Sequence, residues 1–147
     1  MKIKLLILLS ALVFSGQSFA DELPKWFVSA VKQVNPDQLE YVVVVTEECD
    51  LDRKELLGLV EGVFIRSRIK PIEFTGKNLF LSVGLQCMRL KNQYPVYRYD
   101  IAFAKYPNTF MKNYGSFGIG PKERHKEGIK RGVEEALADY IKANFDL

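Results

Sequence analysis

The sequence predicts an α+β fold, in which a small mixed β-sheet has helices packed mainly on one face and carries one disulfide. Two observations predict the strands: residues 41–46 are mostly β-branched, and large apolar side chains recur at every second position in 79–87 and 97–103. A third predicts the helices, because apolar residues recur at helical spacing within 52–68 and 121–141. The predicted order is α-β-α-β-β-(β)-α, where the bracketed strand is optional.

The first helix is predicted to begin at Pro24, since a proline in the first turn has no N–H to leave unpaired. It ends near Val34, because Pro36 cannot continue the hydrogen-bond ladder. Residues 41–46 then form a strand, and its uninterrupted apolar run predicts burial on both faces.

The second helix is predicted from the capping-box spacing of Asp52 and Glu55, and it runs to about Arg68. Pro71 prevents it from going much further. The next predicted strand covers residues 79–87. A strand, a helix and a second strand of this length predict a right-handed parallel βαβ unit.

The third predicted strand, residues 97–103, should form an antiparallel hairpin with the second through a turn at residues 92–93. Residues 107–120 are compatible with one further edge strand, although the three glycines within it weaken that prediction. Pro121 begins the last helix, whose apolar side chains form one stripe.

Residues 1–20 are predicted to be a secretory signal peptide. Lys2 and Lys4 precede an apolar stretch, and the residues up to Ala20 have the small-x-small pattern of a cleavage site. The stretch is shorter than the roughly 20 residues of a membrane-spanning helix, and a buried N-terminal helix is the alternative. The leader predicts a periplasmic or secreted bacterial protein, with one α+β domain over residues 21–147 and no transmembrane anchor after cleavage.

Charge and composition narrow the function classes. The chain has 147 residues, of which 48% are hydrophobic and 27% charged, as in an ordinary globular domain. Without Lys2 and Lys4, 19 basic and 18 acidic side chains remain, so no overall field favours nucleic acid as a partner. Two cysteines and one histidine exclude Cys₄ and Cys₂His₂ zinc sites. No metal and no cofactor is predicted.

The two cysteines predict a structural disulfide. Cys49 follows the first strand and Cys87 lies near the end of the second, so parallel neighbouring strands would bring both to one edge of the sheet. An exported protein meets an oxidising environment, which favours the bond. Free buried thiols and a redox-active pair are the alternatives, although the chain has no Cys-x-x-Cys motif.

Carboxylates and the histidine are the candidates for catalysis. Glu47, Glu48 and Asp50 belong to an acidic cluster that could serve a small envelope hydrolase, together with His125 or a tyrosine. The simpler interpretation is that these acids complement the positive end of the following helix. His125 lies among charged residues and is predicted to be a surface residue.

The glycine-rich segment before the last helix is the candidate binding site. It differs from a phosphate-binding loop, because Pro121 precedes the lysine and no Ser or Thr follows it. The first turn of the helix carries basic residues where acids are favoured, which indicates either chance or an anion site. The residues of this candidate anion or partner site are Tyr114, Phe117, Gly118, Gly120, Lys122, Arg124 and Lys126.

These observations favour a non-enzymatic binding or accessory protein that acts on another envelope or secreted protein, or on an anionic ligand. The glycine-rich segment is aromatic and lies near a sheet edge, where strands present unpaired backbone groups to partners. The envelope hydrolase is one alternative. An inhibitor or immunity-type protein, which would fill a partner's cleft with a loop, is the other.

Overall fold

A computed structural model describes residues 22–46, 48–89 and 95–145. The α+β prediction is confirmed, since the chain forms three helices and a mixed six-stranded sheet. The predicted leader, Glu47 and the predicted turn at residues 92–93 lie outside the described residues. In chain order the elements are α1 (Lys25–Val31), β1 (Gln38–Val45), α2 (Arg53–Arg66), β2 (Lys70–Glu73), β3 (Phe80–Met88), β4 (Val96–Lys105), β5 (Asn108–Asn113), β6 (Ser116–Ile119) and α3 (Lys122–Asn144).

The strands lie in the order β2-β1-β3-β4-β5, and β6 also pairs with β4. The predicted parallel pairing of β1 with β3 and the antiparallel pairing of β3 with β4 are confirmed. The sequence did not predict β2, which pairs in parallel with β1 at the edge of the sheet. Pro71 lies within it, and an edge strand tolerates proline because one side of its backbone needs no ladder hydrogen bond.

Helix boundaries follow the local signals. Asp52 caps α2, and the complete capping box with Glu55 is confirmed. Proline occupies the N-cap position of both α1 and α3, as Pro24 and Pro121. The first helix ends at Val31, before the predicted end near Val34 and well short of Pro36, the proline that was expected to stop it.

All three helices cover one face of the sheet, and the core lies between them. From β3 and β4 every second residue points into it, as the alternation predicted. Phe103 lies at its centre, with ring centroids 6.0 Å from Phe27 of α1 and 5.9 Å from Tyr140 of α3. This ring therefore joins the two terminal helices to the middle of the sheet.

No described helix covers the other face of the sheet, which we call the open face. The prediction that the first strand is buried on both faces is wrong, because Val43 is 2% exposed while its neighbour Val44 is 57% exposed. Alternate β1 residues point to opposite faces, and helices cover only one of them. The β-branched run correctly indicates a strand, but it does not show which faces are covered.

One charged residue, Glu40, is buried on the open face at 4% exposure. The connection between β2 and β3 crosses β1 there, and its groups enclose the carboxylate. Glu40 accepts hydrogen bonds from the Thr75 amide at 2.9 Å, the Thr75 hydroxyl at 2.7 Å, the Gly76 amide at 3.2 Å and the Asn78 side chain at 2.6 Å. Burial alone would raise the pKa of this carboxyl, but the hydrogen bonds outweigh burial and lower the pKa.

Candidate functional site

The disulfide between Cys49 and Cys87 lies at the end of the sheet where β1 and β3 finish. The predicted bond is confirmed, with the sulfur atoms 2.02 Å apart and the Cα atoms 5.0 Å apart. Thr46 lies between the two cysteines, because its hydroxyl accepts the Cys87 amide hydrogen at 3.1 Å and contacts Cys49 Sγ at 3.5 Å. The disulfide and Thr46 therefore hold the ends of β1 and β3 together.

The stretch 107–120, where one further edge strand was considered, contains two strands, β5 and β6. They follow each other along the outer edge of β4. Gly115 separates them, and a Cβ atom there would lie 2.0 Å from the Tyr99 carbonyl oxygen. Only glycine fits such a close approach, so this glycine permits the edge strand to continue and does not weaken it.

The register of β6 fixes which backbone groups face outward. Tyr114 N donates to Ile101 O at 2.9 Å, and Gly120 N donates to Pro95 O at 3.4 Å. Hydrogen-bonded pairs recur at every second residue of an antiparallel ladder, so Ser116 and Gly118, which lie between these two positions, also direct their backbone groups toward β4. Phe117 consequently directs its N–H and C=O away from β4, toward the free edge.

Four apolar side chains lie together on the open face beside this edge. Met88 pairs with Val96 and Val96 pairs with Ile119, so the three form one row across β3, β4 and β6. Phe117 lies two residues before Ile119 on the same face. Phe117 is 81% exposed, Met88 61% and Ile119 55%. We call Met88, Val96, Phe117 and Ile119 the apolar patch.

An open hollow of about 730 Å³ adjoins the patch. Its lining contains Met88, Val96 and Phe117 together with Cys87 of the disulfide, and it also includes the charged residues Glu48 and Arg98. Arg98 is held by an ion pair to Asp100 at 2.8 Å. The hollow is therefore lined by both apolar and charged side chains.

Two of the three predicted basic residues on the first turns of α3 pair with a carboxylate of the same chain, that of Glu55. Lys122 donates to Glu55 at 2.5 Å, and Lys126 lies 3.5 Å from the same side chain. The hydrogen bond with Lys122 lowers the pKa of the Glu55 carboxyl and raises the pKa of the Lys122 ammonium. Glu55 of the α2 capping box therefore compensates the basic charge that the sequence presented as unusual.

Arg124 differs from these lysines. It is exposed and has no ion-pair partner within the described parts of the chain. Its guanidinium Nη1 donates to the Ile119 carbonyl at 3.4 Å, which places the charge at the outer edge of β6. Of the predicted site residues, the structure brings Phe117, Gly118, Gly120 and Arg124 together here.

Tyr114 lies apart from this group, in the core. It is 8% exposed, and its hydroxyl donates to Asp139 of α3 at 2.9 Å. Lys112 pairs with the same carboxylate. Burial, followed by the bond to Asp139, raises the pKa of the Tyr114 hydroxyl. The glycine-rich segment is therefore buried where it begins and exposed at Phe117.

The prediction that His125 is a surface residue is wrong, because its side chain is fully buried. The imidazole packs against Tyr97 with ring centroids 3.7 Å apart, and Nε2 donates to Gly120 O at 2.9 Å. Its Nδ1 atom is buried with no hydrogen-bond partner among the described residues. Burial lowers the pKa of His125, although the bond to Gly120 and the charge of Asp50 oppose the shift.

Acidification is therefore expected to destabilise the fold through His125. Below about pH 6.5 the unfolded chain binds a proton at this residue, whereas the folded chain resists it, so stability present above that pH is lost as the pH falls. Urea unfolding followed between about pH 8 and pH 5.5 measures the loss. His125→Gln retains a donor for Gly120 O and should flatten the dependence; an unchanged slope in this variant would contradict the assignment.

The two described acidic residues of the hydrolase alternative, Glu48 and Asp50, have different surroundings. Glu48 is exposed and lines the hollow, Asp50 pairs with Arg89, and Glu47 lies outside the described residues. The buried imidazole of His125 is closed to a substrate in this structure. Within residues 22–46, 48–89 and 95–145, no group of His, Cys, Asp or Glu side chains is arranged to hold a metal ion.

No family model matches the chain, and no curated protein matches it in sequence. Among solved structures, it is similar to a minor lipoprotein from Acinetobacter baumannii, at 7% identity and a TM-score of 0.34, over 72% of this chain and 90% of that one. It is also similar to the rare lipoprotein B from Shewanella oneidensis, at 13% identity and a TM-score of 0.29, over 71% of this chain and 92% of that one. TM-scores this low do not establish a shared fold. No helix in the described ranges is long and apolar enough to cross a membrane.

Sequence reasoning singled out Phe117 but missed the other three residues of the apolar patch. Met88, Val96 and Ile119 meet only through the pairing of three strands, which no local pattern specifies. One signal was available: Ile119 follows Phe117 at period two, as expected of an edge strand with one apolar face.

Proposed function

We propose that this protein is a non-enzymatic binding or accessory protein of the bacterial envelope, periplasmic or secreted, that acts on another envelope or secreted protein. The apolar patch is the contact surface of this proposal. The exposure of Phe117 and Ile119 on a strand with a free edge is the observation that supports it most directly.

Exposed apolar clusters with a polar border are typical of protein-binding surfaces. Phe117 is a large aromatic residue that could have been polar at no cost to the core, since its side chain contributes almost nothing to it. Aromatic residues and methionine are enriched at interfaces, and the patch contains one of each. A partner that covers the patch would remove Phe117 and Met88 from water together.

The remaining features are compatible with export. The leader predicted over residues 1–20 supports an envelope or secreted location, and the Cys49–Cys87 disulfide suits an oxidising compartment. Binding of an anionic ligand is the second candidate function. Only Arg124 supports it, because Lys122 and Lys126 pair with Glu55. The buried imidazole of His125 does not favour the hydrolase alternative.

Site-specific photocrosslinking in the producing bacterium tests the proposal. A photoreactive phenylalanine analogue at Phe117 is expected to give a discrete protein adduct after irradiation. The matched control places the same analogue at Ile65, which is 69% exposed on α2, away from the open face.

An adduct at position 117 that is missing at position 65 supports the proposal. No adduct at position 117, or the same set of adducts at both positions, would overturn it. Identification of the adduct by mass spectrometry then names the partner.

A further inference from the structure

We infer that the partner binds by strand addition: an extended segment that alternates apolar and acidic residues pairs with the outer edge of β6. This inference rests on the proposed function and specifies its mode of binding. The observations that carry it are the outward backbone groups of β6, the alternation of its side chains and the charge of Arg124, which has no ion-pair partner among the described residues.

The outer edge of β6 is a short and defined template. The register established by Tyr114 and Gly120 turns the N–H and C=O groups of Phe117 and Ile119 outward. Among the described strands, β6 pairs only with β4. The template ends at Gly115, because its N–H already donates to the Asn113 side chain at 2.8 Å. An added strand can therefore pair with residues 116–120 and not beyond them toward β5.

The two faces of an added strand would meet different surroundings. On the open face, Phe117 and Ile119 offer apolar contacts to every second residue of the incoming segment. On the helix side, β6 presents only the small residues Ser116 and Gly118. This leaves space beside α3 for the other residues of the incoming segment, those between its apolar ones. A Cβ atom at Gly118 would lie 2.9 Å from the Tyr97 hydroxyl, which is why that side carries no larger side chain.

The charge of α3 beside β6 indicates which residues of the incoming segment should alternate with its apolar ones. Arg124 holds its guanidinium beside the Ile119 carbonyl without a carboxylate partner in the described ranges. Arg131, also exposed, follows two helical turns later on the same side of α3. The acids Glu135 and Asp139 lie further along, where they line the groove beside Tyr114. Between Arg124 and Arg131 the helix has one acidic residue, Glu127, and two further lysines, Lys126 and Lys130. This part of α3 therefore carries a net positive charge, and an acidic side chain complements it.

The arrangement also explains the long bond of Arg124. At 3.4 Å its contact with the Ile119 carbonyl is weak, so an incoming backbone N–H can replace it. The released guanidinium can then pair with a carboxylate of the segment. Main-chain pairing of this kind gives affinity, while the alternate side chains give specificity.

Synthetic peptides test the inference with the folded, disulfide-bonded protein. One peptide alternates valine with glutamate, and its matched partner alternates valine with lysine; both have blocked ends. The glutamate peptide is expected to bind about fivefold more tightly, as one exposed ion pair allows. Arg124→Glu should abolish or reverse that preference. Lys70→Glu, an equal charge change on β2 at the opposite edge, should leave it unchanged.

Amide hydrogen exchange distinguishes strand addition from simple apolar contact. The outward amides of Phe117 and Ile119 should exchange rapidly in the free protein and become protected when the glutamate peptide binds. Equal binding of both peptides, no binding, or binding without protection of these amides would overturn strand addition. The photocrosslink at Phe117 is independent of these outcomes, so the proposed function can stand when this inference fails.

Discussion

Replacing both Cys49 and Cys87 by serine is expected to lower the free energy of unfolding by about 4 kcal/mol. The bond closes a loop between positions separated by 38 residues, and its loss restores that freedom to the unfolded chain. Urea unfolding of the two proteins, followed by circular dichroism, measures the difference. The double serine variant is also expected to loosen the adjoining ends of β1 and β3.

Reduction of the unmodified protein provides the control for this variant. With a thiol reductant present, its unfolding curve should move to that of the double serine variant, since both lack the same crosslink. A loss below about 1 kcal/mol would show that the crosslink does not restrict the unfolded chain as the loop length requires.

Phe103→Ala is expected to destabilise the protein by about 3–5 kcal/mol, as truncation of a fully buried aromatic residue does. The lost ring contacts Phe27, Tyr114 and Tyr140, so the cavity would lie between α1, α3, β4 and the segment after β5. Chemical denaturation at constant pH measures the effect.

Phe117→Ala is the matched control for Phe103→Ala, because it removes the same atoms from an exposed position. Its free energy of unfolding should stay within about 0.5 kcal/mol of the unmodified protein. Equal losses in the two variants would contradict both the assigned core and the assigned patch. The same Phe117→Ala protein should bind its partner less tightly while remaining folded.

The sequence predicted the elements whose signals are local. The alternation ending at Cys87 and the capping box at Asp52 each lie within one element, and both were confirmed. The strand β2 was missed because four residues around Pro71 carry no period of their own. Its position depends on pairing with β1, a contact between distant residues.

Parts of the candidate site could not be predicted because they depend on long-range contacts. The basic turn of α3 looked uncompensated, but Glu55 lies 67 residues before Lys122 in the chain and meets it only in the folded structure. The charged neighbours of His125 suggested a surface position, yet its own place on the helix turns it toward Tyr97. Flanking charge was a poorer guide than helical position.

The buried carboxylate of Glu40 has a consequence for the pairing of the central strand. Four consecutive valines, residues 42–45, would fit their neighbours almost equally well after a shift by one position, since nothing distinguishes one valine from the next. Such a slip would turn Glu40 from its polar enclosure into the hydrocarbon interior beneath the helices. A single ionised side chain thus selects one alignment for a segment that could not select it alone.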